Sequence, residues 1–577
     1  MRRPVFCLCA LWSCSTILSN AQTAQDSLQT LTNQARALRR GGWRTEEFST
    51  AIAARSEALH RLIRTDPRKA LDLALPEEDA ARLREWSPNI ESTGAWTGSM
   101  ETRMEDDPIS GSRRRYYLTT SAEELEIFPS ELPPDLSCQQ DVTVRGIRLQ
   151  EEVAAKTIEV RAAAASCSTT GVQNIAVILV NFTNASLPAN VTQPFVNNAF
   201  FGVNSLDTFW REASYNQTSA AGQVFGPFTI AVTSCSSTST MRTAAIAAAD
   251  AQADFRNFTR VFIIHPNAGS CSVGVGSLGC STLNSADGSF NASTAWMRAD
   301  YLQTTAHVVS MASHEGGHNM RLEHSSTYDY GSVALGAPGV PGVYNEYYDV
   351  FSAMGLSYNY GGTILIGHYS APQKAALGWL SSGSGYQTVT GSGTFTVLPT
   401  ETVNAGVKAI RVQRPGTNKW LWLEYRQNTG PFDSTFNAYS PNIYSGALIH
   451  YEDPNEANYP ETLLLDFTPT SSPNNFSNAV LAAGSSWTDP NTPLTLRVQS
   501  ATPSGMTVVV SAGAQLSPCD LNADGQVNVV DVQNSVNRAL GMLACANGDI
   551  DGSGSCNVVD VQRIVVVALG GACTVGS

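Results

Sequence analysis

His314-Glu315-Gly316-Gly317-His318-Asn319-Met320-Arg321-Leu322-Glu323-His324-Ser325-Ser326 is the stretch that decides how this 577-residue chain is read. On a helix, His314 and His318 stand four apart, so both imidazoles leave one face and reach a single ion, while Glu315 sits beside that ion without binding it. That is a zinc-hydrolase arrangement. His324 supplies a third imidazole if the helix ends near Met320 and the chain turns back, which leaves a fourth position for water. The residues Thr304 to Ser313 read as the first turns of the helix, with apolar positions on one stripe. Gly316 and Gly317 fit less well, since each glycine costs roughly 1 kcal/mol against alanine inside a helix. Packing or metal must offset it.

These thirteen residues resemble the metzincin pattern HExxHxxGxxH, and within it the gametolysin family (peptidase family M11). Two further stretches are similar to that family. Tyr347-Tyr348-Asp349-Val350-Phe351-Ser352-Ala353-Met354-Gly355 resembles the Met-turn, in which Met354 forms an apolar floor under the histidines. Gly367 to Leu380 resembles the segment that closes the catalytic domain. The resemblance implies a zinc endopeptidase with His314, His318 and His324 as ligands and Glu315 activating the water. Arg321 stands where the family has a glycine in the left-handed conformation, and a non-glycine residue there costs roughly 1 to 2 kcal/mol. Position 356 is leucine, so no tyrosine follows Met354 as a second oxyanion donor.

A chain of this length holds several domains. Its net charge of -14 and pI near 5.1 argue against nucleic-acid binding and suit a secreted or calcium-binding protein. Met1-Arg2-Arg3, the apolar run Phe6 to Leu18 and Ser19-Asn20-Ala21 read as a signal peptide over 1–21, and nothing later reads as a membrane span. Cys7, Cys9 and Cys14 leave with it. Of the nine cysteines that remain, an odd number, most should pair in an oxidising compartment.

Residues 22–165 read as helical and then β. Arg36 to Arg40 and Ala51 to Ile63 carry helical spacing, and Tyr116 to Leu118, Glu124 to Phe128, Val142 to Leu149 and Thr157 to Val160 alternate like strands. This region is either a propeptide or a permanent N-terminal domain. Cys138 is either a latency thiolate or the disulfide partner of Cys167, and its neighbours do not match the known switch motif. Residues 171–382 form the expected catalytic domain, an α/β sandwich. Its strands are Asn174 to Phe182, Phe228 to Val232 and Arg260 to His265, and its helices Leu206 to Tyr215 and Met241 to Phe255. Cys271 and Cys280 can clip the glycine-rich loop between them, with Cys235 as a competing partner. His265 and His307 read as structural.

Residues 383–514 carry short β-rich runs and read as an all-β sandwich. The tail, 518–573, repeats itself after 29 residues: Asp520-Leu521-Asn522-Ala523-Asp524-Gly525-Gln526-Val527-Asn528-Val529-Val530-Asp531 returns as Asp549-Ile550-Asp551-Gly552-Ser553-Gly554-Ser555-Cys556-Asn557-Val558-Val559-Asp560. Oxygen side chains at loop positions 1, 3, 5, 9 and 12 suit calcium, with position 7 lending its carbonyl. The calcium candidates are therefore Asp520, Asn522, Asp524, Gln526, Asn528 and Asp531, then Asp549, Asp551, Ser553, Ser555, Asn557 and Asp560. Helices follow over Val532 to Leu540 and Val561 to Leu569. The module resembles a type I-like dockerin. Its recognition positions are Val529-Val530 and Val558-Val559, so a cohesin-like or cell-surface partner would meet an apolar surface.

The expectation is a multidomain α+β protein: a secreted zinc endopeptidase with one catalytic zinc, two calcium ions and a protein or peptide substrate. Two alternatives stand beside it. One is a non-catalytic dockerin-bearing binding protein, the other a zinc-dependent polysaccharide hydrolase.

Overall fold

The structure is a computed structural model that describes residues 32–33, 46–85, 87–107, 111–131, 140–162, 167–235, 237–269, 271–456, 459–470, 476–513, 517–522 and 526–576. The expected signal peptide, the Arg36 to Arg40 stretch, Cys138 and Asp524 lie outside these residues. The chain is mixed α and β and divides into two compact units, Met1–Arg211 with Gln217–Leu322, and Glu212–Asn216 with Glu323–Ser577. The division falls inside the histidine stretch and coincides with neither expected boundary, at 165–171 or at 382–383. Among the described residues no helix is long and apolar enough to cross a membrane.

In the first unit, helices α1 (Glu46–Thr65), α2 (Pro67–Asp72) and α3 (Glu77–Arg84) precede strands β1 (Ser92–Asp106), β2 (Arg113–Thr119), β3 (Glu124–Pro129), β4 (Gln140–Leu149) and β5 (Glu152–Ala162). There follow β6 (Gly171–Phe182), α4 (Gln193–Phe201), α5 (Leu206–Ala213, which ends across the division), β7 (Thr218–Ile230), α6 (Thr238–Ala249) and β8 (Arg260–His265). Strands β9 (Gly274–Ser277), β10 (Ser281–Ser285) and β11 (Gly288–Arg298) lead into α7 (Thr305–Asn319). One sheet runs β2-β3-β5-β4-β1-β9-β11-β8-β6-β7, with β10 paired to β11. The β6, β7, β8 and β11 part is parallel, and its continuous apolar runs are what burial on both faces requires. Every residue of β8 is buried.

The N-terminal region is therefore not a separate layer. Antiparallel pairing of β1 with β9 joins its strands to the α/β sheet, with Arg103 opposite Ser277 and Asp106 opposite Gly274. A buried charge cluster fixes the join. Glu101 on β1 takes Arg103 at 2.6 Å and Arg242 of α6 at 2.7 Å. Burial alone would raise the Glu101 carboxyl, but the two guanidinium groups override it and hold it well below the usual carboxylate range.

One disulfide expectation is corrected in this unit, and one open alternative is decided. Cys167 pairs with Cys280, not with Cys138, and Cys271 pairs with Cys235, not with Cys280. The segment between Cys271 and Cys280 is accordingly not a clipped loop. It contains strand β9, held between β1 and β11.

In the second unit, β12 (Ser325–Asp329) and β13 (Val343–Asn345) are followed by the hairpin β14 (Tyr358–Tyr360) and β15 (Thr363–Leu365), then helix α8 (Ala371–Ala376). The remaining strands are β16 (Tyr386–Val389), β17 (Gly393–Val397), β18 (Ala409–Gln413), β19 (Trp420–Tyr425), β20 (Gly446–Glu452), β21 (Thr462–Leu464), β22 (Leu481–Ala482), β23 (Ser486–Thr488), β24 (Leu494–Thr502) and β25 (Gly505–Ala512). They form one sheet ordered β13-β12-β21-β20-β19-β18-β16 and another ordered β17-β25-β24-β23. Ile410, Leu421 and Leu423 from the first pack with Val397, Leu496 and Val508 from the second in one buried cluster. β12 and β13, which belong to the expected catalytic region, thus complete a sheet of the expected all-β region.

The tail follows with helices α9 (Val529–Ala539) and α10 (Val558–Ala568). Both start three residues before the expected positions, because Asn528 and Asn557 cap them and Asp531 and Asp560 close a capping box three residues on. Cys519–Cys573 and Cys545–Cys556 staple the module around a small core of Leu521, Ile550 and Ile564.

Candidate functional site

Helix α7 opens at Thr304, whose side-chain oxygen accepts from the His307 N–H, and closes at Met320. His314 and His318 leave the same face, with ring centroids 5.0 Å apart. The glycine pair has a packing reason at Gly316, where a Cβ would lie 2.7 Å from Trp210 Cζ2, and Trp210 is fully buried. Beyond Met320 the chain turns through Arg321 at φ +75°, the left-handed conformation expected there, and the Leu322 N–H donates to the Gly317 carbonyl at 2.9 Å.

That turn also sets the tautomer of His318. Its Nδ1 lies 2.8 Å from the Leu322 carbonyl oxygen, which can only accept, so Nδ1 carries the proton and Nε2 offers its lone pair. His318 Nε2 stands 3.3 Å from Asp106 Oδ2, and His314 Nε2 stands 3.2 Å from the same oxygen. Asp106 comes from the end of β1 and carries no local signature of a ligand. It is the functional candidate that sequence reasoning missed.

Strand β9 lies under the helix and explains its own glycines. A Cβ on Gly276 would stand 2.7 Å from His318 Cβ, and one on Gly274 would overlap the Glu315 carboxylate. Only glycine lets the backbone come this close. Asn319 Nδ2 donates to the Ser277 carbonyl at 3.1 Å and to the Thr294 carbonyl at 2.9 Å, tying the helix end to β9 and β11. Glu315 is buried against β9. Burial, with the Asp106 carboxylate next, pushes its carboxyl well above the usual range.

The donor set tests well against zinc. Two imidazole nitrogens and a carboxylate oxygen are zinc ligands, and donors about 2.0–2.1 Å from a tetrahedral zinc lie about 3.4 Å from one another. The two distances at Asp106 match that edge.

His324 lies in the second unit, where its ring is fully buried. Nδ1 lies 3.2 Å from Glu346 Oε1, the Tyr347 ring stands 4.2 Å away between centroids, and the Ser325 N–H donates to the Met354 carbonyl at 3.0 Å. Met354 is itself fully buried. The segment around Met354 therefore packs against the strand that begins beside His324. His450 is a core residue with Nε2 2.9 Å from Asp349 Oδ2.

Other clusters are structural. His265 stands near Cys235 and Cys271, but those sulfurs pair with each other, and burial pushes the imidazole down to about 4, so it is neutral. His307 bonds Thr304 at the start of α7. A cavity of about 650 Å³ in the first unit is lined by Glu105, Arg115 and Glu126, which pair among themselves, and it contains neither His314 nor His318. In the second unit Arg426 pairs with Glu424 and Asp433 in the interior, a charged knot with no sequence signal.

In the tail, Asp549, Asp551 and Asp560 bring carboxylate oxygens within 4.8 Å of one another. Asp549 and Asp551 both accept from the Ser553 N–H at 3.0 Å. Asp560 Oδ1 accepts from Ile550 and Asp551 N–H, and Oδ2 from Asn557 N–H at 2.8 Å. Asp531 repeats that pattern toward Leu521, Asn522 and Asn528. Asn528 and Asn557 spend a side-chain oxygen on the helix cap. Ser555 offers its carbonyl to the Ser553 hydroxyl. Comparison of the chain with protein-family models and with curated proteins gives no match in either.

Proposed function

We propose that the protein is a secreted zinc endopeptidase of the gametolysin-like metzincin type, carrying a calcium-binding dockerin-like tail. The observation that carries this reading is the pair of Nε2 atoms, His314 and His318, converging on one point with Glu315 buried beside them. His324, six residues along the chain, is the proposed third ligand. Its support is its burial and the Glu346 carboxylate on Nδ1, which leaves Nε2 as the donor.

A zinc ion held by these residues would polarise the scissile carbonyl and acidify a water molecule. Glu315 takes the proton from that water and later delivers it to the leaving amine, and its raised affinity for a proton suits both roles. Met354 shapes the floor and does no chemistry. In the tail, Asp549, Asp551 and Asp560 support one calcium site and the repeat supports a second. Val529, Val530, Val558 and Val559 are exposed, the surface expected of an apolar docking face.

The test is Glu315→Ala in the mature secreted form. Casein cleavage should fall by about 10²- to 10⁴-fold, the usual contribution of a positioned acid–base group, while zinc content stays at the wild-type level. Retained cleavage would remove Glu315 from the mechanism.

A further inference from the structure

We propose that strand β1 is an intramolecular inhibitor, with the Asp106 carboxylate acting as a fourth zinc ligand in the position that water and substrate need. The proposal rests on the zinc reading of His314 and His318 and adds the means by which that site is kept silent.

Three independent observations carry it. The first is geometric: one oxygen, Asp106 Oδ2, lies 3.2 Å from His314 Nε2 and 3.3 Å from His318 Nε2. A carboxylate oxygen this close to two imidazole nitrogens is held by a proton or a metal ion between them, and a metal ion serves both nitrogens at once. The Leu322 carbonyl on Nδ1 fixes the His318 Nε2 lone pair in place.

The second is the sheet. β9 has β11 on one side, and β1 covers its other side, pairing from Arg103 opposite Ser277 to Asp106 opposite Gly274. Strand addition is a common way for a sheet to hold an extended peptide. Here this edge of β9, the strand against which Glu315 and His318 pack, is already filled by the chain itself. Asp106 ends the pairing where the backbone passes the Glu315 carboxylate, so it lies where the bond to be cut would lie.

The third is anchorage. Glu101, Arg103, Arg242 and Thr238 form a buried network just behind the pairing, with Arg103 Nη1 donating to Thr238 Oγ1 at 2.8 Å. Such a cluster holds β1 in one register, and so holds the Asp106 oxygen over the histidines. Activity then requires β1 to leave β9.

The test uses the full secreted chain loaded with cobalt(II), whose visible absorption reports the ligands, and titrates acetohydroxamate into wild type, Asp106→Ala and Asp106→Asn. An intramolecular ligand competes at an effective concentration of order millimolar or above, so both variants should bind acetohydroxamate about 10- to 100-fold more tightly than wild type. Their cobalt spectra should also differ from wild type before acetohydroxamate is added. The asparagine variant preserves shape if the alanine variant folds poorly. Equal affinities in all three, each with one cobalt per chain, overturn the proposal. So does loss of cobalt from the variants, which makes Asp106 a permanent ligand. A wild type that takes up no cobalt removes the zinc reading itself, and this appears before any acetohydroxamate is present.

Discussion

The two candidate metal regions are built in opposite ways. In the tail the second loop brings Asp549, Asp551 and Asp560 together from twelve consecutive residues, and it closes on Asp560, whose carboxylate binds its own loop's backbone. At the histidines the helix provides two donors, and the oxygen that faces them comes from β1, some two hundred residues earlier in the chain. A contiguous site depends on its own loop. A site assembled from distant strands depends on the packing that brings them together.

The largest expected effect follows from that dependence. Glu101→Gln leaves two buried guanidinium groups short of a counter-charge, and breaking a buried pair in this way costs about 3–5 kcal/mol. Denaturant unfolding of the first unit should shift accordingly, while the calcium response of the tail stays as in wild type. The same contact makes the first unit acid-sensitive. Because the folded carboxyl value of Glu101 lies below its ordinary 4.5, its stabilisation is fully present above that ordinary value and is lost as pH falls toward the depressed one. Glu101→Gln should flatten the acid limb of the stability curve. An unchanged limb would detach Glu101 from the join.

A smaller and more local effect is expected in the tail. Asp560→Ala removes the acceptor of three backbone N–H groups, of which only the Ile550 bond is fully buried, so the loss is about 1–3 kcal/mol, and it removes a proposed calcium ligand. Calcium should then stabilise the tail less, with acetohydroxamate binding at the histidines unchanged. A fall in both would mean that the two regions are not independent.

This contrast also explains what could be read from the sequence. His314, Glu315 and His318 were legible because helical spacing alone puts them on one face, and the tail repeats because every proposed ligand sits at a fixed offset. The left-handed turn at Arg321 was legible only through the resemblance, which sets a glycine at that position. Strand β9 was not, because Gly-Val-Gly-Ser has the composition of a loop. It is a strand because Glu315 and His318 press against it and only glycine fits there. Asp106 was invisible for a related reason: nothing near it in sequence points to a metal, and its role depends on the β1–β9 register. The disulfides Cys167–Cys280 and Cys235–Cys271 likewise follow from which strands are neighbours, which cysteine spacing does not encode. The early start of helices α9 and α10 was written in the sequence, in Asn528 with Asp531 and Asn557 with Asp560 as capping boxes.

The central claim is that histidine nitrogens hold one zinc ion. Zinc K-edge X-ray absorption on the full chain, with metal content measured on the same sample, tests it most directly. The account predicts one zinc per chain, with nitrogen and oxygen donors alone at about 2.0–2.2 Å and the scattering pattern of several imidazoles. A chain that binds no zinc, or one whose zinc shows a sulfur donor at about 2.3 Å, would contradict it.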